Sequence, residues 1–239
     1  MAKLKSVIQY ECVTSLKYIP IFYGIQYFIV TLITVIVGIS VGTFEEVGTN
    51  ALEMNSLIYT GILGVLGFKE DFKMLIQNGF TRKYIFAATV SLFVFICGIM
   101  SFVDTVMGNL LHSLLPHYSS LYGAIYGYDN ILSNWIWLFL LYLLVCNLFY
   151  LVILVIHKLG KTYSICAGVG FGGIILLAAV LFRYVIPADI VKDILSFLSK
   201  AMGFVGEGRI NHLFPTLTLL TLTLVFGFCC YRIIRRTEL

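Results

Sequence analysis

Charge is scarce in this chain: 12 % of its 239 residues are Asp, Glu, Lys or Arg, whereas 60 % are hydrophobic. A soluble core of this size cannot hide so much apolar surface, which excludes an ordinary water-soluble globule and makes lipid the solvent. Cysteine is missing from every stretch read below as an outer loop. The six cysteines (Cys12, Cys97, Cys146, Cys166, Cys229, Cys230) fall in apolar runs or on the cytoplasmic side. That placement provides neither a disulfide framework nor a CxxC metal pair, so they read as small packing residues. Internal repeats, low-complexity tracts and any loop long enough to fold alone are also missing, so residues 1–239 form a single transmembrane domain. A cleaved leader is not expected either. The first apolar run is too long for one and follows a stretch that contains Glu11.

What the chain does have is six apolar runs, at 19–42, 51–68, 84–108, 134–156, 163–185 and 213–231. Each is close to the roughly 20 residues a helix needs to cross a bilayer's hydrocarbon. The segments between them alternate in charge. Lys3, Lys5 and Lys17 precede the first run, Lys69, Lys73, Arg82 and Lys83 lie in the second connection, Lys158 and Lys161 in the fourth, and Arg232, Arg235 and Arg236 in the tail. The first and third connections have no Lys or Arg, and the fifth has only Lys192, Lys200 and Arg209. Short cationic loops stay in the cytoplasm, so six spans with both termini inside are expected. Glu45, Glu46, Glu53, Asp129, Asp189, Asp193 and Glu207 then make the outer side acidic. The basic balance therefore reflects topology and contact with anionic inner-leaflet lipid, not nucleic acid.

The connections carry their own patterns. Leu4, Val7, Ile8, Cys12 and Leu16 recur at helical spacing, which predicts an amphipathic helix over 4–17 lying along the inner interface. In the second connection Phe68, Phe72, Leu75 and Ile76 form an apolar stripe, Gly79 is the expected helix stop, and Thr81 can cap the following span. Outer residues Tyr118, Tyr122 and Tyr126 repeat every fourth position, a pattern favouring an interfacial anchor over a substrate contact. Ile190, Val191, Ile194, Leu195 and Leu198 predict a second outer amphipathic helix before the last span.

Catalytic motifs fail on context. Gly160-Lys161-Thr162 ends like a phosphate-binding P-loop, but the glycine required five residues before Gly160 is Val155. Gly38-Ile39-Ser40-Val41-Gly42 matches GxSxG, yet it lies at the end of a membrane span and the four histidines are in or beside loops. The same residues form GxxxG, the pattern of closely packed membrane helices, and Gly168 and Gly172 repeat it in the fifth run. Packing is the favoured reading for all four glycines. Asp104 is the one acidic residue read well inside a span, and Arg183 sits at similar depth in the fifth. A structural ion pair or snorkelling is favoured over a proton or ion relay. No catalytic residue and no metal site are expected.

The stretch Leu75-Ile76-Gln77-Asn78-Gly79-Phe80-Thr81-Arg82-Lys83-Tyr84-Ile85-Phe86 resembles the cytoplasmic coupling segment of type-2 ATP-binding-cassette (ABC) permeases. An N-terminal elbow helix, six spans, a reentrant-like outer helix between spans five and six and the tail Arg235-Arg236-Thr237-Glu238-Leu239 fit small bacterial members of that family. The resemblance implies a permease dimer, of two copies or a copy and a paralogue, in the bacterial cytoplasmic membrane. Two separate ATPase subunits would dock beneath it. ATP and Mg would bind on those subunits, leaving this chain without a cofactor and without enzymatic activity of its own. It also implies ATPase coupling through Phe68, Phe72, Leu75, Asn78, Gly79, Thr81, Arg82 and Lys83, and dimer contacts through the first and fifth spans, where Gly38, Gly42, Gly168 and Gly172 lie. The expected activity is outward export of a hydrophobic or amphipathic peptide, drug or lipid-like molecule. The alternative is an intramembrane hydrolase or sensor with no ATPase partner.

Overall fold

In hydrocarbon each backbone N–H and C=O must find a partner inside the protein, and an isolated apolar run can only do so as a helix. A computed structural model of the chain follows that rule and is 88 % helical. It describes residues 2–42, 50–69, 75–77, 79–115, 118–184, 187–205 and 210–236. Among these the helices are α1 (Ala2–Leu16), α2 (Tyr18–Val41), α3 (Glu53–Lys69), α4 (Arg82–Leu114), α5 (Leu121–Tyr126), α6 (Ile131–Leu159), α7 (Lys161–Tyr184), α8 (Ala188–Ala201) and α9 (Leu213–Arg236). Each of the six apolar runs is a helix. Four helical stretches, Lys5–Ser40, Arg82–Leu114, Ile131–Leu159 and Leu213–Arg235, are long and apolar enough to cross a membrane. The chain thus has the build of an all-α membrane protein.

Local chemistry sets the helix ends. Gly42 stops α2 in the left-handed region (φ 76°) and returns its N–H to the Gly38 carbonyl. Asn130 caps α6 by accepting from the Ser133 N–H at 3.1 Å, and Gly160 (φ 81°) closes its other end behind His157 and Lys158, which complement the helix dipole. Only Lys17 separates α1 from α2, and its backbone is itself helical (φ −68°, ψ −30°), so the expected elbow is a single-residue break. Val7 and Cys12 of α1 pack on the core, and α1 lies against α4.

The hub is α6, which packs against α3, α4, α7 and α9. Its Leu138, Tyr142, Cys146, Tyr150 and Leu154 are completely buried, facing Phe93, Ile96, Cys97 and Met100 of α4 and Cys230 and Ile234 of α9. The Phe93 and Tyr150 rings meet edge to face at 5.5 Å. The cysteines are free, as expected, and two of them bond across helices: Cys146 Sγ donates to the Thr60 carbonyl at 3.1 Å and Cys230 Sγ reaches that of Asn147 at 3.5 Å.

Close approach depends on a glycine row absent from the sequence-based expectations. Gly61, Gly64 and Gly67 of α3 lie three apart on one face. A Cβ on Gly61 would press the Phe149 ring at 3.2 Å, one on Gly67 would press Phe93 at 2.9 Å, and one on Gly64 would overlap the Cys146 carbonyl oxygen. By contrast, a Cβ on Gly168 or Gly172 of α7 would meet nothing within 4 Å.

This difference is measurable by thermal unfolding of the detergent-solubilised monomer. Gly64→Ala should cost about 1–3 kcal/mol, because the obstacle is backbone and cannot turn aside. Gly168→Ala should be neutral or stabilise by up to about 1 kcal/mol, the helix propensity that glycine forgoes. Equal tolerance of both changes would mean that α3 and α6 do not meet at Gly64.

Candidate functional site

Two regions of the bundle concentrate polar and conformationally special residues: the connection between α3 and α4, and the opposite end of the same two helices.

In the connection, Phe72 and Asn78 lie outside the described residues, as does the side chain of Phe68. Around them the helical backbone at 75–77 ends in a Schellman motif. Gly79, at φ 77°, gives its N–H to the Ile76 carbonyl at 2.9 Å, and the Phe80 N–H bonds the Leu75 carbonyl at 3.0 Å. Gly79 is therefore the helix stop expected of it. Thr81 occupies the N-cap position of α4 with an extended backbone (φ −74°, ψ 150°), although its side chain makes no capping bond. Arg82 Nη1 donates to the Arg235 carbonyl at 3.2 Å, binding the start of α4 to the last turn of α9, where a cation is favoured. Lys83 is exposed. Leu75, expected among the residues that couple to an ATPase, is 1 % exposed and part of the core. The reason is that Leu75 and Ile76 pack against the core, so Leu75 fastens the connection to the protein.

At the other end lies a buried polar knot. Asp104 is 3 % exposed; Tyr142 of α6 donates to its Oδ2 at 2.6 Å, and the hydroxyls of Ser56 (α3) and Tyr23 (α2) face the same carboxyl. Tyr23 also donates to the Met100 carbonyl at 3.1 Å. The expected partner, Arg183, is in α7 with its side chain outside those described; the groups found on Asp104 are hydroxyls.

Beside it stands Glu53, and here the structure corrects the sequence reading. Counted from sequence as an outer-loop acid, Glu53 is the first residue of α3 and only 2 % exposed. Its Oε2 accepts from the Leu121 N–H at 3.3 Å, and its Oε1, buried, has no hydrogen-bond partner. The turn before it is pinned. Ala51 sits in the left-handed region (φ 52°), held by its N–H on the Ser119 carbonyl at 2.9 Å, while Ser119 N–H bonds Asn50 Oδ1 at 3.0 Å. An alanine adopts that conformation at a cost, so the strain is retained where Glu53 is placed.

The connection from α4 to α6 forms the lid of this knot. The expected surface helix is replaced by an extension of α4 to Leu114 and the six-residue α5, capped by Ser120 Oγ on the Gly123 N–H at 3.0 Å. Tyr118, Tyr122 and Tyr126 are 4 %, 2 % and 3 % exposed. They are core residues and not interfacial anchors. Tyr122 and Tyr126 pack their rings on Trp137 at 5.7 and 5.8 Å; the Tyr122 hydroxyl meets His212 Nδ1 at 2.9 Å, and the Tyr126 hydroxyl donates to the Met202 carbonyl at 2.9 Å. Burial pushes the Tyr122 hydroxyl up to about 12, and burial followed by the charge of Glu53 raises that of Tyr118. These phenols therefore stay neutral, each with one O–H to donate and lone pairs to accept.

The motif glycines fall elsewhere. Gly42 is a helix stop, Gly38 its hydrogen-bond acceptor, and Gly168 and Gly172 lie along α7 in open space. Ser40, centre of GxSxG, donates its hydroxyl to the Ile36 carbonyl one turn back at 2.8 Å, the habit of a helix serine and not of a nucleophile. Among the described residues no group of three or more His, Cys, Asp or Glu side chains is arranged to hold a metal ion. Two features escaped the sequence reading. The glycine row at 61, 64 and 67 had a signal, its three-residue spacing inside a span. The convergence of Glu53, Ser56 and Tyr142 on Asp104 joins residues far apart in the chain and had none.

The polar knot is open to a direct test. Tyr142→Phe removes one hydroxyl without changing shape and leaves the Asp104 carboxyl short of its best donor. A loss of about 1–3 kcal/mol in unfolding free energy is expected, against little change for the exposed Tyr163→Phe. A tolerated Tyr142→Phe would show that the 2.6 Å contact does not hold α6 to α4.

Compared with known proteins, the chain matches no protein-family model, no curated protein and no solved structure.

Proposed function

We propose that the chain is the membrane-spanning subunit of a bacterial ABC exporter. In this reading it has six spans with both termini in the cytoplasm and pairs with a second permease chain in the cell membrane. It moves a hydrophobic or amphipathic cargo outward on ATP hydrolysed by two separate ATPase subunits. The observation that carries the reading is the mechanical build of the connection between α3 and α4. A segment that transmits a push has to be stiff and fastened to the helices it moves. Leu75 is sunk in the core, the Gly79 stop fixes where the chain turns, and Arg82 ties α4 to α9. A force applied to this connection would be delivered to two long helices together, the kind of rigid-element shift by which packed bundles switch.

Leu75 is spent on the core, so we assign the ATPase contact to Phe72 among the apolar coupling residues. The hydrolase alternative loses its main candidate, since the Ser40 hydroxyl is engaged with its own helix.

Two substitutions separate fastening from docking. Phe72→Glu should leave the amount of folded protein unchanged but abolish copurification of an ABC ATPase from native membranes, read by mass spectrometry. Leu75→Ala should reduce folded protein itself, by about 2–5 kcal/mol of unfolding free energy for a buried Leu-to-Ala change. Retention of an ATPase by Phe72→Glu would remove this segment as the docking element. If the wild type copurifies with no ATPase at all, the exporter reading falls.

A further inference from the structure

The Glu53 and Asp104 carboxyls are both almost wholly buried, and both belong to the same knot. The titratable groups facing them come from every element packed there: Tyr23 and Tyr27 of α2, Tyr118 of the α4–α5 connection, and Tyr142 of α6. Among the described residues none of these groups is cationic. Two bare carboxylates in such a place would carry a doubled negative charge away from water, which costs many kcal/mol unless a positive charge joins them.

Two further atoms lack a hydrogen-bond partner. Glu53 Oε1 has no partner, and the hydroxyl of Ser56, completely buried and facing Asp104, also has none in bonding geometry. Space then decides what can enter. A Cβ added at Gly108 would stand 3.1 Å from Glu53 Oε1 and 3.3 Å from the Ser120 side chain, so the packing around that oxygen is already tight. A hydrated ion or an amine needs room that a proton does not. The Leu121 N–H holds one oxygen of Glu53 and leaves Oε1 without a partner, while the groups meeting Asp104 among the described residues are hydroxyls.

We propose that Glu53 and Asp104, with Ser56, form a buried proton-binding site that holds a proton in the closed arrangement of α3, α4 and α6 described above. The step is simple protonation: a carboxylate oxygen takes a proton from water when the knot opens and carries it as O–H when the knot closes. The Ser56 hydroxyl faces the Asp104 carboxyl as a donor to its oxygens. The site does not depend on the exporter reading, because it follows from burial and charge alone.

Infrared difference spectroscopy on the full-length protein in lipid nanodiscs reads this proton directly, through the C=O stretch that only a protonated carboxyl gives. At neutral pH the wild type should show that band, with the isotope shift expected in D2O. Glu53→Gln and Asp104→Asn should each change it, and the double variant should lose it. Thermal unfolding provides a second readout that does not need the variants to assign the band. At neutral pH the folded site binds more protons than the unfolded chain, so the wild-type midpoint falls as pH is raised from weakly acidic to weakly alkaline. The neutral double variant lacks that fall. Absence of the band in the wild type would overturn the proposal, as would a band of wild-type strength in the double variant. Appearance of the band only after Arg183→Gln would assign Asp104 to an ion pair. That result refutes proton binding at the pair.

Discussion

The bundle depends on the contact between α3 and α6 at Gly64. In lipid the hydrophobic effect no longer pulls helices together, since acyl chains are as apolar as leucine, and association rests on packing, interhelical hydrogen bonds and lipid entropy. Small residues at the seam make both of the first two available. With hydrogen at Gly64 in place of a methyl, the Cys146 carbonyl approaches α3 directly, and the same closeness lets Cys146 Sγ reach the Thr60 carbonyl. From that contact α6 extends to α4 through Phe93 and Tyr150, and to α9 through Cys230. An interhelical hydrogen bond in a membrane contributes only about 0.6 kcal/mol on average. Such bonds locate the helices, while the close packing that glycine permits provides most of the adhesion.

Much of the fold was legible because a membrane leaves the backbone so few options. Every apolar run became a helix, Gly79 became the helix stop and Gly42 ended α2, each for a reason visible in one or a few residues. What could not be read is pairing. Leu75 has the same neighbours in sequence whether its stripe faces a partner, lipid or its own core; the structure puts it in the core. Glu53, at the edge of an apolar run, passed for a loop acid because its cap lies at Leu121, far along the chain. The tyrosines at 118, 122 and 126 had an interfacial pattern and an internal destination, set for Tyr122 and Tyr126 by Trp137 of α6 and His212 just before α9. Within the chain, the closest helix approach falls outside the GxxxG pairs. The spacing of Gly38 and Gly42 serves a helix end, while the closest approach uses glycines three apart.

The two candidate regions lie toward the ends of one hairpin. Helix α3 carries Glu53 on its first residue and leads from its last, Lys69, into the proposed coupling segment; α4 starts at Arg82, just beyond that segment, and carries Asp104. At 1.5 Å per residue, Glu53 lies about 24 Å from the end of α3, and Asp104 about 33 Å from the start of α4. Helices of this length behave as stiff rods whose hydrogen bonds are satisfied internally, so a shift imposed at the connection reaches the far end with little loss. The carboxyl knot is where it would be felt. The contacts there (Leu121 on Glu53, Tyr142 on Asp104, Ser119 on Ala51) are directional hydrogen bonds between segments far apart in the chain. Packed interfaces of this kind switch between discrete arrangements and do not stretch. A push on the connection would therefore act first on the bonds that shield the two carboxyls from water, so that opening the knot and admitting a proton become one event. The retained strain at Ala51 favours such a response, since part of the cost of leaving the closed arrangement is already present in it.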